Sequence, residues 1–333
     1  MRRLVLLTIL LLTACSLPGR EAPRATPAPA TATSDLVPTA TFEPPPLGSY
    51  ENPILLALSP SPALDSNIVG NGQALVALLT DLTGYSVAAV SPSTTTDLLA
   101  ALQVGNAHVA VLSPFAYARA YEQGSVHAAF ALTRNDEASY GAQFIARVDA
   151  FKPYFDPSTG ENTADAPEAL AQFAGKKPCW TERTSPSGYL IPSGVLKYHG
   201  IETVVGSFLN SHFTVARNVF NRDSCEFGGT YVDALDFPAL RDRYPNFRDE
   251  VAVIWRIPPI IPYDVIVFAS GLPPQMASEL KRAIERAWAM DDGQAMLGAL
   301  YEVEGIRPVD DGFYIEFRKY LEASGADLDS LIQ

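Results

Sequence analysis

Residues 108–117, His-Val-Ala-Val-Leu-Ser-Pro-Phe-Ala-Tyr, contain the pattern that decides the fold. The run from His108 to Leu112 is almost continuously apolar, which is typical of a strand buried on both faces. Ser113 is a good N-cap and proline favours the first helical position, so a helix is predicted from Pro114 to Tyr121. A strand that leads straight into a helix is the repeating unit of α/β proteins.

The same alternation extends along the chain on both sides of this unit. Strands are predicted at residues 54–58, 85–90, 142–148, 177–180, 251–256 and 265–268. Helices are predicted at residues 69–82, 96–104, 166–173, 187–198, 272–290 and 312–323. We therefore predict an α/β protein with two lobes, each containing strand–helix units of a mostly parallel sheet.

Two strand segments are predicted to leave one unit and return to it, near residues 137–145 and 256–264. These crossings would place residues 50–136 and 265–333 in the first lobe. Residues 137–264, including the hinge strands, would form the second lobe. Ligand sites in such folds lie where loops at the carboxyl ends of strands face each other, so a cleft between the lobes is the expected site.

The N-terminal segment contains a targeting signal followed by a tether. Residues 1–14 combine a basic start with an apolar run that is too short to span a bilayer, as in a signal peptide. The ending Leu-Thr-Ala-Cys resembles a bacterial lipobox, so cleavage before Cys15 and its lipidation are predicted; an ordinary signal peptide with a chance cysteine is the alternative. Residues 15–49 are rich in Pro, Thr and Ala and are predicted to form an extended tether.

Charge, motif content and cysteine content limit the classes of function that this chain can have. The chain has 24 Lys plus Arg against 37 Asp plus Glu, a formal net charge of −13, which argues against nucleic-acid binding. No metal-binding, nucleotide-binding or nucleophile motif is present, so we expect neither an enzyme nor a bound metal or cofactor. In an oxidising compartment Cys179 and Cys225 are expected to pair, with two free thiols as the alternative.

Three loops at strand ends carry polar groups suited to a site. In the segment Ser185-Pro-Ser-Gly188, Ser185 is a natural N-cap, and the free N–H groups after it would attract an anion. Plain helix capping is the alternative. The other two loops, residues 113–117 and 225–233, would supply Tyr117, Tyr231 and Asp233 to a cleft, unless these side chains only pack within their loops.

Three short sequence segments resemble motifs of a known protein family. Gly84-Tyr-Ser-Val, Ser113-Pro-Phe-Ala-Tyr117 and Ser185-Pro-Ser-Gly-Tyr-Leu-Ile-Pro192 occur in an order and at separations that resemble the phosphate/phosphite/phosphonate-binding lipoproteins of ABC importers. The resemblance covers most of residues 50–290. It implies a type II periplasmic-binding-protein fold, whose two lobes close on a small oxyanion.

The resemblance also implies ligand contacts. The Ser-Thr-Ser-Gly loop of the family falls on residues 185–188, where Pro186 stands in place of the threonine. Together with the loops above, the candidate ligand contacts are Ser59, Ser61, Tyr117, Thr184, Ser185, Ser187, Gly188, Tyr189, His212, Tyr231 and Asp233. Binding is expected to rest on these neutral donors rather than on a basic side chain such as Lys176 or Lys177.

The sequence therefore predicts a monomeric, membrane-anchored lipoprotein outside the cytoplasm, at the cell surface or in the periplasm. It would capture a phosphonate, phosphite or phosphate and deliver it to an ABC permease. The alternatives are a protein of the same fold that binds a sulfonate or a thiamine precursor, and a ligand sensor that signals to a membrane receptor.

Overall fold

The computed structural model describes residues 44–60 and 66–332. Of the predicted site residues, Cys15 and Ser61 lie outside the described residues. Residues 45–333 form one compact unit that contains two large β-sheets. In the described part of the chain, no helix is both long enough and apolar enough to cross a membrane.

The structure contains each predicted strand and helix, together with elements at residues 126–133, 212–221, 291–301 and 305–308 that were not predicted. The strands are β1 (Ile54–Ala57), β2 (Val87–Val90), β3 (Val109–Leu112), β4 (Val126–Thr133), β5 (Ser139–Arg147), β6 (Phe155–Asp156), β7 (Glu161–Asn162), β8 (Pro178–Trp180), β9 (Ser207–Phe208), β10 (Phe227–Tyr231), β11 (Val251–Pro262), β12 (Val265–Ala269) and β13 (Gly305–Pro308). The helices are α1 (Ser66–Thr83), α2 (Thr95–Val104), α3 (Pro114–Glu122), α4 (Ala166–Leu170), α5 (Ile191–Tyr198), α6 (His212–Asn221), α7 (Pro238–Arg243), α8 (Phe247–Glu250), α9 (Pro274–Trp288), α10 (Asp291–Tyr301), α11 (Ile315–Ser324) and α12 (Leu328–Leu331).

Each sheet forms the centre of one lobe. Sheet 1 has the order β13-β4-β12-β3-β1-β2, and sheet 2 has the order β11-β5-β10-β8-β9. Apolar clusters cover both faces of each sheet, with α1, α9 and α10 on one face of sheet 1 and α2 and α3 on the other. This two-lobed α/β architecture confirms the fold class predicted from the sequence.

Both sheets are mixed, so the prediction of mostly parallel sheets is wrong in this respect. In sheet 2, β5 is antiparallel to β10 and β11, whereas β8 is parallel to β9 and β10. In sheet 1, β12 is antiparallel to β3 and β4, whereas β1 is parallel to β2 and β3. β5 and β12 each follow directly after a segment in which the chain crosses from one sheet to the other. Each strand therefore begins at the edge of its sheet that borders the cleft.

The chain crosses between the sheets at two short hinges, residues 134–138 and 263–264. The predicted crossings, 137–145 and 256–264, overlap both hinges and include parts of β5 and β11. Those strands, β5 and β11, pair with each other along most of their length, so they are part of the second lobe.

The C-terminal segment departs from the predicted lobe division. The first lobe was expected to include all of residues 265–333, but α11 packs against the core of the second lobe through Phe317 and Leu321. The turn before it stays with the first lobe, where Tyr314 is fully buried against α3, and Ile332 after α12 also packs in the first-lobe core. α11 packs with the α5 residues Ile191 and Val195, while other helices already cover both faces of sheet 1.

Candidate functional site

A cleft of about 550 Å³ lies where the two lobes and both hinges meet. The first lobe contributes the start of α3, and the second lobe contributes the helix start after β8 and the end of β10. The residues lining the cleft are Ser113, Pro114, Phe115, Arg134, Tyr140, Pro186, Ser187, Tyr231, Val232, Asp233, Pro262, Tyr263 and Asp264. This cleft brings together Ser187, Tyr231 and Asp233 from the predicted set.

The second-lobe helix start is built as a capped turn. The Ser185 hydroxyl accepts a hydrogen bond from the Gly188 N–H at 3.1 Å, and Pro186 occupies the first helical position. Gly188 is required here, because a Cβ would lie 1.9 Å from the Thr181 Oγ1 atom. Ser185 and Gly188 therefore shape the turn for each other, and neither lines the cleft.

Ser187 is the polar group that this turn directs into the cleft. It is only 5% exposed, and its hydroxyl lies close enough to the Tyr140 side chain to lower the pKa of that tyrosine. The Ser187 N–H has no acceptor within the described residues. A free N–H and a hydroxyl at a helix N-terminus, where the helix dipole is positive, can together bind one oxygen of an anion.

Tyr140, at the start of β5, stacks on Tyr263 with ring centroids 5.4 Å apart. Burial raises the pKa of Tyr140 to about 12, although the Ser187 hydroxyl and the Arg134 charge act in the opposite direction. Tyr140 therefore remains a neutral hydroxyl at physiological pH, able to donate to an anion. The sequence analysis missed both tyrosines, although both lie within the hinge crossings that it predicted.

The end of β10 is held in place by His212. The Tyr231 N–H donates to His212 Nδ1 at 3.3 Å, and the two rings meet edge to face at 4.8 Å. Burial lowers the pKa of His212, so the ring is a neutral acceptor at neutral pH. His212 does not line the cleft; it orients Tyr231, which does.

Three charged residues line the cleft: Arg134 and Asp264 at the hinges, and Asp233 after β10. The guanidinium of Arg134 lies over the Tyr263 ring, 5.1 Å from its centroid. Burial raises the pKa of Asp264, and the nearby Arg134 charge partly offsets this effect. Asp233, after β10, is exposed at the cleft surface. Arg134 is the basic side chain that lines the cleft, whereas Lys176 and Lys177 do not line it.

Tyr117 does not reach the cleft, in contrast to the prediction. It is fully buried, and its hydroxyl donates to Asp311 Oδ1 at 2.8 Å and accepts from Arg318 at 2.8 Å. Burial and the Asp311 carboxylate raise its pKa. On α3 the cleft is lined by Pro114 and Phe115, and a residue two positions further along lies on another face of the helix.

Other predicted contacts also lie elsewhere. Thr184 is exposed outside the cleft, and Ser59 is half-buried after β1 without lining the cleft. Tyr189 packs between Trp180 and Phe208 in a separate groove of about 580 Å³ on the second lobe. The π-turn at residues 186–190 turns Tyr189 away from the cleft while Ser187 faces it.

The predicted cysteine pairing is present in the second lobe. The Cys179 and Cys225 sulfurs are 2.07 Å apart, and the Cα atoms are 5.5 Å apart. The bond joins β8, which precedes the Ser185 turn, to the residues just before β10, which ends at Tyr231. Two of the strands that position the cleft residues are therefore linked covalently.

Comparison with known proteins places this architecture in a family. The model of a family described as "ABC transporter, phosphonate, periplasmic substrate-binding protein" matches residues 61–314. The chain belongs to this family. One relative, the phosphate-import protein PhnD of Mycolicibacterium smegmatis, is 25% identical over 244 residues, covering 69% of this chain and 70% of the relative.

Solved structures share the fold of this phosphonate-binding family member at low identity. The structure of XAC2383 from Xanthomonas citri bound to ATP matches with a TM-score of 0.51 and 17% identity, over 84% of this chain and 97% of that one. Transferrin 1 from Manduca sexta matches with a TM-score of 0.53 and 10% identity, over 82% of this chain and 46% of that one. At such identities these matches show the fold alone.

Proposed function

We propose that this protein captures a small oxyanion of the phosphonate, phosphite or phosphate class outside the cytoplasm and delivers it to an ABC permease. The family is a substrate-binding component of ABC transporters, and a relative is named for phosphate import. The observation that carries the ligand class is the Ser187 helix start, with its free N–H and its hydroxyl facing Tyr140 inside a cleft.

In this proposal the phosphoryl group lies between Ser187 and Tyr140. The Ser187 N–H, the Ser187 hydroxyl and the Tyr140 hydroxyl each donate to a phosphoryl oxygen, and hydrogen bonds to charged groups are the strong ones. Phe115 and Tyr231 supply apolar and aromatic surface for a small organic substituent. Asp233 lies where it can accept from a P–OH group or from an amine on the ligand.

A ligand screen by thermal shift tests this function. The purified mature protein is heated with methylphosphonate, phosphite, phosphate, methanesulfonate or thiamine phosphate, and the unfolding midpoint is measured. A ligand present at about one hundred times its Kd adds about 2.7 kcal/mol of stability. We expect one of the first three anions to raise the midpoint of the wild type and of Thr184→Ala, which alters an exposed residue outside the cleft, but to raise that of Ser187→Ala much less.

A shift with thiamine phosphate alone, or an equal shift in both variants, would contradict the proposal. The thiamine compound represents the alternative ligand class within the same fold. Equal shifts in Ser187→Ala and Thr184→Ala would mean that the anion binds away from the Ser187 helix start.

We further propose that the protein acts as a monomer held at the membrane by a lipid on Cys15, with residues 15–49 as the tether. The Leu-Thr-Ala-Cys ending of the apolar run supports this proposal. Mass spectrometry of the protein extracted from its native membrane is expected to find a diacylglyceryl group on Cys15 as the first residue. A mature protein that begins elsewhere, or that carries an unmodified Cys15, would contradict it.

A further inference from the structure

The charge balance of the cleft is the starting point. Of its lining residues, Arg134 is the cation, and Asp233 and Asp264 are the carboxylates. The other polar groups, including the hydroxyls of Ser187 and Tyr140, are neutral. A doubly charged anion placed among neutral donors and carboxylates would be repelled by the carboxylates, so a cation within reach determines how much anionic charge the cleft accepts.

The backbone of Arg134 is fixed at the first hinge. Its N–H donates to the Glu137 carbonyl at 2.9 Å, and the Glu137 N–H donates back at 3.0 Å. The two residues between them, Asn135 and Asp136, adopt left-handed φ angles of 49° and 63°. The Asn135 N–H is also bound by the Glu304 carboxylate at 2.7 Å, so this turn holds the base of the Arg134 side chain in place.

The Arg134 side chain packs against the pair of tyrosines that borders the Ser187 helix start. The Arg134 guanidinium lies on Tyr263, which stacks on Tyr140, whose hydroxyl meets Ser187. Stacking on an aromatic face leaves the N–H donors at the guanidinium edge free for a planar or tetrahedral oxyanion. The positive charge therefore lies one aromatic pair away from the Ser187 helix start.

The charge is not neutralised by a neighbouring carboxylate. Within residues 44–60 and 66–332, no Asp or Glu oxygen lies within the 4.0 Å of an ion pair to Arg134. The titratable groups that its charge influences are Tyr140 and Asp264. Tyr140 is neutral at physiological pH, and Asp264, the carboxylate whose pKa the Arg134 charge lowers, forms no ion pair with Arg134 among the described residues.

We propose that Arg134 makes this cleft selective for a dianionic phosphonate over a monoanionic sulfonate of the same shape. This inference rests on the proposed function, since it assigns a specificity-determining residue to the same site. The two groups have nearly the same tetrahedral geometry, and the neutral donors of Ser187 and Tyr140 can bind either one. The second negative charge of the phosphonate gains an additional interaction only where a fixed, unneutralised cation is present.

Calorimetric titration with a matched pair of ligands tests this proposal. Methylphosphonate and methanesulfonate are titrated into the mature wild type, Arg134→Gln, Arg134→Lys and Arg183→Gln, in buffer well above the second ionisation of the phosphonate. Arg183 is the matched control, because its guanidinium also lies over an aromatic ring, that of Phe208 at 4.2 Å, but in the separate groove.

The wild type and Arg183→Gln are expected to prefer methylphosphonate over methanesulfonate. Arg134→Gln is expected to lose about 10- to 100-fold in affinity for methylphosphonate, the range for a charge-assisted hydrogen bond, with a much smaller loss for methanesulfonate. Arg134→Lys is expected to retain most of the preference, because it keeps the charge but not the fork geometry.

An unchanged preference in Arg134→Gln, or equal losses for both ligands, would overturn the role of Arg134 while leaving phosphonate binding as the function. A wild type that binds methanesulfonate but not methylphosphonate would overturn both. The same holds for a wild type that binds neither ligand nor the other oxyanions of the thermal-shift screen.

Discussion

Each lobe contributes one helix start to the cleft, and both begin with the sequence Ser-Pro. Only the helix start of the second lobe has a polar residue after the proline. In the first lobe Ser113 caps α3 and Pro114 follows; in the second lobe Ser185 and Pro186 do the same. Both serine hydroxyls accept from the N–H three residues later, at 3.3 Å and 3.1 Å. The shared Ser-Pro pattern therefore specifies the local backbone and says nothing about which helix start binds a ligand.

The residue after the proline makes the difference. In the first lobe it is Phe115, which packs towards Phe317 of α11 with ring centroids 6.2 Å apart. In the second lobe it is Ser187, which faces the Tyr140 hydroxyl. One helix start thus offers an apolar wall and the other offers donors, and a small organic phosphonate needs both.

The largest expected effect comes from the disulfide bond, which stabilises the second lobe and has no counterpart in the first. The first lobe contains no cysteine, whereas the Cys179–Cys225 bond spans 46 residues of the second lobe. In the chain-entropy model, replacing both cysteines by serine lowers the free energy of unfolding by about 4 kcal/mol. Urea unfolding monitored by tryptophan fluorescence is expected to show the midpoint falling. A midpoint equal to that of the oxidised wild type would contradict the expected stabilisation.

The Ser187 and Ser185 hydroxyls are expected to separate binding from capping. Ser187→Ala removes a donor to a charged oxygen, so affinity for methylphosphonate should fall about 10- to 100-fold, with little loss of stability. Ser185→Ala removes a cap, so the free energy of unfolding should fall by about 1 kcal/mol. Calorimetry and urea unfolding of both variants measure the two effects. The reverse assignment, with binding lost only in Ser185→Ala, would exclude Ser187 as the anion contact.

Two tyrosine variants are also expected to separate an effect on ligand binding from an effect on stability. Tyr140→Phe should weaken methylphosphonate binding, because the hydroxyl lies beside Ser187 in the cleft. Tyr117→Phe should instead cost about 1–3 kcal/mol of stability, because the half-buried Asp311 carboxylate loses a hydrogen-bond donor. Its affinity should remain within about threefold of the wild type, a difference of less than about 0.7 kcal/mol. A large loss of affinity in a stable Tyr117→Phe protein would restore Tyr117 as a ligand contact.

The smallest expected effect is a pH dependence in the first lobe. Burial alone would raise the pKa of Asp311, but hydrogen bonds from the Ala128 N–H, His127 and Tyr117 lower it below its ordinary value. This carboxylate therefore stabilises the fold fully above its unfolded pKa of about 3.9, and the contribution disappears as pH falls through the lower folded value. Urea unfolding at several pH values should show the gap between wild type and Asp311→Asn narrowing in acid. A gap that widens in acid would contradict this sign.

The sequence predicted the elements well where one local pattern was enough. Strand–helix alternation gave the two lobes, and the Ser-Pro caps gave the starts of both cleft helices. It failed where the outcome depends on which face of an element meets which lobe. Tyr117 and Phe115 are two residues apart on one helix, and only the packing of α3 against sheet 1 decides that Phe115 lines the cleft.

The cleft residues that were not predicted from the sequence share one location in the fold. Arg134, Tyr140, Tyr263 and Asp264 lie at or beside the two hinges, and they are brought together only when both crossings run side by side. No spacing along the chain reveals that proximity, since the first and second hinges are separated by the whole of sheet 2. The predicted crossings could have pointed to them, because segments that join two lobes necessarily border the cleft.

The most direct test of the account is a crystal structure of the mature protein with methylphosphonate. The account predicts electron density for the phosphoryl group between the Ser187 N–H and the Tyr140 hydroxyl, with the Arg134 guanidinium turned towards its oxygens. Density in the groove beside Trp180 and Tyr189, or in the pocket between Arg147 and Lys177 at the far side of the second lobe, would contradict it.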